Sequence, residues 1–192
     1  MKSAIAIAAV AGLATVASAQ NVGTVTLTSS ATDVLTGETF TIGVMVSDNI
    51  SGNSVFGFDV EVVGSGAAFT NSAPVADASI FGFNGAATAT GVTALGGSSD
   101  ILGPDLDPSL DGLVVYTFQV TAGSEVGVID FAAIDGVGPN AALQWGLGGG
   151  IVIVPQEYDS IEFNGISVNV TPAPSGMALL GLGGLVAARR RR

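Results

Sequence analysis

Almost all the side chains here that could do chemistry are carboxylates. The densest run is "SSDILGPDLDPSLDG", where Asp105, Asp107, Ser109 and Asp111 take every second position and Gly112 follows. In an extended loop, alternate positions point the same way, so this spacing would gather oxygen ligands for a hard cation such as calcium. It is not an EF-hand loop. Leu110 stands sixth, where Gly is needed, and Tyr116 twelfth, where a bidentate Glu is needed. The competing reading is a solvated loop whose Asp and Pro residues serve turns. Asp105, Asp107 and Asp111 are therefore the candidate metal ligands, calcium the one cofactor considered, and no other cofactor is expected.

Trp145, in "NAALQWGLGGG", and Tyr158, in "PQEYDS", are the aromatic side chains that would stack on a sugar. Trp145 would equally plug one end of a core. Thr24, Thr26 and Thr28 alternate in "TVTLTSS", as do Thr88 and Thr90 in "TATG". Runs this short are ordinary on an exposed strand face.

Other chemistries are excluded by composition. There is no His and no Cys, Lys2 is the only lysine, and Arg189 to Arg192 are the only arginines. Ser-His-Asp and Cys-His arrangements, a lysine nucleophile in the body and an imidazole or thiolate zinc site are all ruled out. A carboxylate pair remains chemically available, but sixteen acids supply pairs by chance. The expectation is a protein that is not an enzyme. The formal charge is −11, and no cation lies between residues 3 and 188. Nothing there would neutralise phosphates, so nucleic acid is not an expected partner.

The two ends read as addresses. "MKSAIAIAAVAGLATVASAQ" has a basic start, an apolar stretch from Ala4 to Val16, and Ala17 and Ala19 at the small −3 and −1 positions before Gln20. This is a signal-peptide layout for residues 1–19, with the mature chain starting at Gln20 outside the cytoplasm. The other end is "TPAPSGMALLGLGGLVAARRRR". Its apolar run, as a helix, would cover about 21 Å, short of a typical hydrocarbon core. The arginines fix a cytoplasmic tail by the positive-inside rule. The physics gives a marginal stop-transfer segment and transient membrane insertion.

That C-terminal layout resembles the PEP-CTERM sorting signal, which is recognised by an exosortase. Pro172 and Pro174 match its two prolines, Met177 to Ala188 its hydrophobic helix, and Arg189, Arg190, Arg191 and Arg192 its basic tail. Ala173 stands where the family has Glu. The resemblance implies an exosortase-type processing partner, export through the inner membrane, and a place at the cell surface or in the extracellular polysaccharide matrix.

Between the ends the pattern is all-β. "TFTIGVMVS" alternates Phe40, Ile42, Val44 and Val46 against Thr39, Thr41, Gly43 and Ser47. "VFGFDVEVV" sets Phe56, Phe58, Val60 and Val62 on one face, and "LVVYTFQVT" groups Val114, Tyr116, Phe118 and Val120. Further strands are expected over residues 24–29, 86–95, 126–133 and 151–154. Asn164-Gly165 in "SIEFNGISVNV" predicts a hairpin turn. Period-two alternation with one polar face predicts an antiparallel two-sheet β-sandwich of eight or nine strands over residues 20–170, flanked by the signal peptide and a short C-terminal hydrophobic helix within 171–192.

The body resembles the cohesin-like, carbohydrate-binding-module-like (jelly-roll) sandwiches. "VLTGETFTIGVMVSDNISGNSVFGFDVEV" is similar to their opening, "DGLVVYTFQVTAGSEVG" to a later strand, and "FNGISVNV" to the closing hairpin. The likeness implies a sandwich that binds a surface protein or extracellular polysaccharide, or that builds the matrix itself.

Overall fold

A computed structural model describes residues 20–50, 54–95, 97–99, 110–136, 143–147 and 154–174. Every regular element among them is a strand. In chain order they are β1 (Val22–Ser29), β2 (Asp33–Leu35), β3 (Thr39–Asp48), β4 (Ser54–Phe58), β5 (Val60–Gly66), β6 (Phe69–Asn71), β7 (Val75–Ala76), β8 (Ile80–Phe81) and β9 (Asn84–Thr88). There follow β10 (Gly91–Leu95), β11 (Gly97–Ser99), β12 (Leu113–Ala122), β13 (Gly127–Asp135), β14 (Leu143–Leu147), β15 (Val154–Glu157), β16 (Ser160–Asn164) and β17 (Ile166–Thr171).

Two six-stranded sheets make the sandwich. The first runs β16-β1-β3-β12-β6, with β7 also on β12, and the second runs β2-β17-β13-β5-β10-β9. A smaller third sheet, β15-β14-β4-β11-β8, extends one end. The core is what alternation demands. Ile42, Val44 and Val46 of β3 and Phe118 and Val120 of β12 face Ile129 and Phe131 of β13 and Val168 of β17, all buried. Phe131 meets Phe40 and Phe118 edge-on across the sandwich, with ring centroids 6.4 and 6.3 Å away, the arrangement the ring quadrupoles favour.

The all-β sandwich holds, with corrections in detail. Where eight or nine strands are expected, the described residues form seventeen pieces in three sheets. The pairing is not wholly antiparallel, because β1 runs parallel to β16 and β2 parallel to β17. Residues 86–95 are not one strand but most of a hairpin, β9 against β10. Asn164-Gly165 is no hairpin turn. β16 pairs with β1 in the first sheet, and β17 with β13 and β2 in the second. The tight two-residue turn would need positive φ at both residues, and neither has it. Gly165 instead lets the chain pass against the Phe131 carbonyl, where a Cβ would sit 2.6 Å from that oxygen.

In β12 the ladder to β3 shifts register between Val114 and Tyr116. Such a bulge turns two successive residues to one side. Val115 and Tyr116 are both buried, and Val114, expected inside, lies on the outer side beside Gly43.

Candidate functional site

Two residues singled out separately in the sequence, Asp111 and Tyr158, are linked at one end of the sandwich. Leu110 is buried, and its N–H donates to the Val55 carbonyl (2.9 Å). A tight turn closes from Leu113 N–H to the Leu110 carbonyl (3.0 Å), with Gly112 at φ 73°. That conformation falls to Gly at little steric cost. The turn leaves Asp111 exposed, and its Oδ1 accepts from the backbone N–H of Asp48 (3.0 Å). Asp48 Oδ1 accepts from the Ile50 N–H (2.9 Å), while its Oδ2 accepts from the Tyr158 hydroxyl (2.7 Å). Asp48 is thus the hub linking Asp111 to Tyr158.

The start of the body is tied to the same end. The Gln20 carbonyl accepts from Asn49 Nδ2 (3.0 Å), Asn49 Oδ1 accepts from Val22 N–H (2.8 Å), and Asp159 Oδ2 accepts from Asn21 N–H (2.8 Å). Gly23 makes room for the Tyr158 ring, since a Cβ there would lie 3.0 Å from it. Burial raises the Tyr158 phenol above its ordinary value, reinforced by the hydrogen bond to Asp48 and the charges of Asp48 and Asp111. The phenol therefore keeps its proton well beyond neutral pH and donates it to Asp48.

This geometry bears on the sugar-stacking candidates. Tyr158 is 8% exposed, so its ring offers little face to a ligand. Trp145 is half-buried, packs on the core, and donates from Nε1 to the Glu157 carbonyl (3.1 Å). It pins β14 to β15, next to Tyr158. Of the metal candidates, Asp105 and Asp107 lie outside the described residues, and among the described ones no three acids cluster as a cation would require. Ala17, Ala19 and the four terminal arginines also lie outside them. Pro172 and Pro174 lie at the exit from the sandwich, where the intervening Ala173 N–H donates to Thr36 Oγ1 (3.1 Å).

A second polar centre sits where β4 gives way to β5 and the chain passes from the third sheet to the second. Asp59, the residue between them, is buried, and its carbonyl accepts from the Gly136 N–H (2.9 Å). The buried Tyr116 hydroxyl donates to the Val60 carbonyl (2.9 Å). Burial, with Glu61 and Asp59 nearby, raises the Tyr116 phenol as well.

The second sheet turns a mixed face to solvent. Val63 of β5 (38% exposed) lies opposite Ala132 of β13, and Glu61 lies opposite Ile134 (41%). Val128 (44%) and Asp130 continue the β13 stripe, and Asp130 Oδ1 accepts from the Ser167 hydroxyl. Large side chains in the open together with acids, and no cation among the described residues, make a face suited to a complementary surface. This face is not visible in the sequence, because Val63 follows buried Val62 in an unbroken apolar pair.

No family model matches the chain, and no curated protein does. Solved structures do match. A cohesin module from a Clostridium perfringens family 33 glycoside hydrolase aligns at TM-score 0.53 and 12% identity, over 81% of this chain and 100% of that one. The seventh ScaB type I cohesin of Pseudobacteroides cellulosolvens aligns at 0.52 and 14%, over 81% and 96%. The sixth cohesin of Acetivibrio cellulolyticus scaffoldin B, solved in complex with a mutant Cel5 dockerin, aligns at 0.51 and 15%, over 77% and 99%. The body is a cohesin-like β-sandwich.

Proposed function

We propose that this chain is an exported, non-catalytic β-sandwich that serves as a structural or adhesive component of the extracellular polysaccharide matrix, and that it holds a protein partner on the outer face of its second sheet. The observation that carries the reading is the exposed Val63–Ala132 and Glu61–Ile134 ladder with Val128 and Asp130 beside it. A partner fitting this face would present an apolar patch rimmed by Lys or Arg. The Acetivibrio cohesin's complex with a dockerin supports a protein ligand for a sandwich of this fold.

The terminal layouts support the location. Ala17, Ala19 and Gln20 would direct export, and Pro172, Pro174 and the tail Arg189 to Arg192 would present the chain to an exosortase-type enzyme at the membrane. Two constructions test the reading together. Removing residues 172–192 should release the protein from intact cells into the medium, whereas unchanged surface retention would sink the sorting half. Val63→Glu with Ile134→Glu should then abolish capture of the tail-less protein by matrix-bearing cells. Undiminished capture would sink the binding half.

A further inference from the structure

The outer face of the first sheet has a different chemistry. On β1, Thr24, Thr26 and Thr28 alternate with buried Val25 and Leu27. On β3, Thr39, Thr41 and Ser47 alternate with buried Phe40, Ile42 and Val46. β12 adds Thr117, Gln119 and Thr121, and Thr70 of β6 stands opposite Thr121. Register aligns them in rows. Thr24 faces Ser47, Thr41 faces Gln119, and Thr39 faces Thr121 with their hydroxyls 2.8 Å apart. Thr28 and Thr117 flank Gly43 on neighbouring strands. Runs too short to notice along the chain are gathered by the fold into one hydroxyl-rich face, interrupted at its centre by Met45 opposite Val114, with steps of about 4.8 Å across strands and roughly 7 Å along them.

This face is also uncharged. Its central strands β1, β3 and β12 place no ionisable side chain on it; Glu162 of β16 and Asp77 just past β7 stand only at its borders. The chain as a whole carries −11, so a polyanion is repelled from every side, and a cationic ligand finds nothing here to pair with. We propose that this face binds an uncharged, extended polysaccharide chain, through hydroxyl groups that both donate and accept. The aromatic side chains of β3 and β12 point inward, so no stacking platform stands on the central strands. Each contact is weak, and retention in a matrix arises from many of them. Sheet twist spoils registry with a flat crystal surface but follows a single flexible chain.

The inference rests on the matrix location proposed above but uses the opposite face, so the two fail separately. The test is native electrophoresis of the purified chain through gels holding soluble galactomannan, soluble β-glucan or alginate. Retardation is expected in at least one neutral gel, unchanged by about 0.5 M salt, where the Debye length is only about 4 Å, and none in alginate. Replacing Thr26, Thr41 and Thr117 together by Val keeps shape and strand propensity and should weaken binding roughly tenfold or more, while Val63→Glu leaves it intact. Migration unaffected by both neutral polymers, equal retardation of the triple-Val protein, or retention on microcrystalline cellulose alone would each overturn the proposal. Circular dichroism and melting of the triple variant separate lost binding from lost folding.

Discussion

The Tyr158 hydroxyl donates to Oδ2 of Asp48 across 110 positions of sequence, at 2.7 Å. That bond joins the stretch before β16 to the end of β3, and through Asp48 N–H it reaches the turn that carries Asp111. Tyr158→Phe should cost about 1–2 kcal/mol in urea unfolding, since it leaves a partly buried carboxylate oxygen short of a donor. A change within about 0.3 kcal/mol would mean that water replaces the phenol freely.

Both tyrosines of the chain have raised phenols in the fold. In the unfolded chain they ionise near pH 10. Folding therefore retains protons that unfolding would release, so the stabilisation is fully present below about pH 10 and is lost as pH climbs above it. For buried Tyr116 the loss approaches about 1.4 kcal/mol per pH unit. Melting temperature measured from pH 8 to 12 should fall above pH 10, and Tyr116→Phe should flatten that fall at the expense of its bond to Val60.

Val62 and Val63 are neighbours with opposite fates, 1% and 38% exposed. Val62→Asp should prevent folding, because a carboxylate would be buried without a partner. Val63→Asp should change stability by no more than about 0.5 kcal/mol. Comparable melting of the two variants would show the register of β5 to be wrong by one residue.

Two glycines with positive φ separate strain from collision. Gly37 (φ 83°) has open space where a Cβ would go, so Gly37→Ala should cost only the backbone term of about 1–2 kcal/mol. At Gly66 (φ 99°) the Cβ would overlap the Val128 carbonyl oxygen, so the β5–β13 ladder must also give way. Chemical denaturation should rank Gly66→Ala well below Gly37→Ala; the reverse order would refute the packing at Gly66.

Where one strand buries one face throughout, the sequence was legible. β3 reads from Thr39 to Val46 as expected, because Phe40, Ile42, Val44 and Val46 keep a period of two and only Met45 is apolar on the other face. It misled where a local device breaks that period. The bulge after Val114 exchanges it with Val115, and nothing in "LVVY" marks which valine turns outward. Asn164-Gly165 carries strong turn chemistry, yet the burial of Val168 and Val170 in the second sheet outweighs a local preference. Asp48 was invisible as a hub because its partners lie 63 and 110 residues away. The hydroxyl-rich face of the first sheet was hidden for the same reason: its rows run between strands, not along them.

The two parallel pairs have a mechanical meaning. β1 lies near the start of the body and pairs with β16, close to its end. Tension applied between Gln20 and Pro174 pulls β1 lengthwise against β16 and, at the other end, β17 lengthwise against β2. Their ladder bonds are then loaded side by side and must break together, whereas an antiparallel pair pulled from one end opens bond by bond. A body held at one end and pulled at the other would meet that load in shear, the direction in which a sheet yields last.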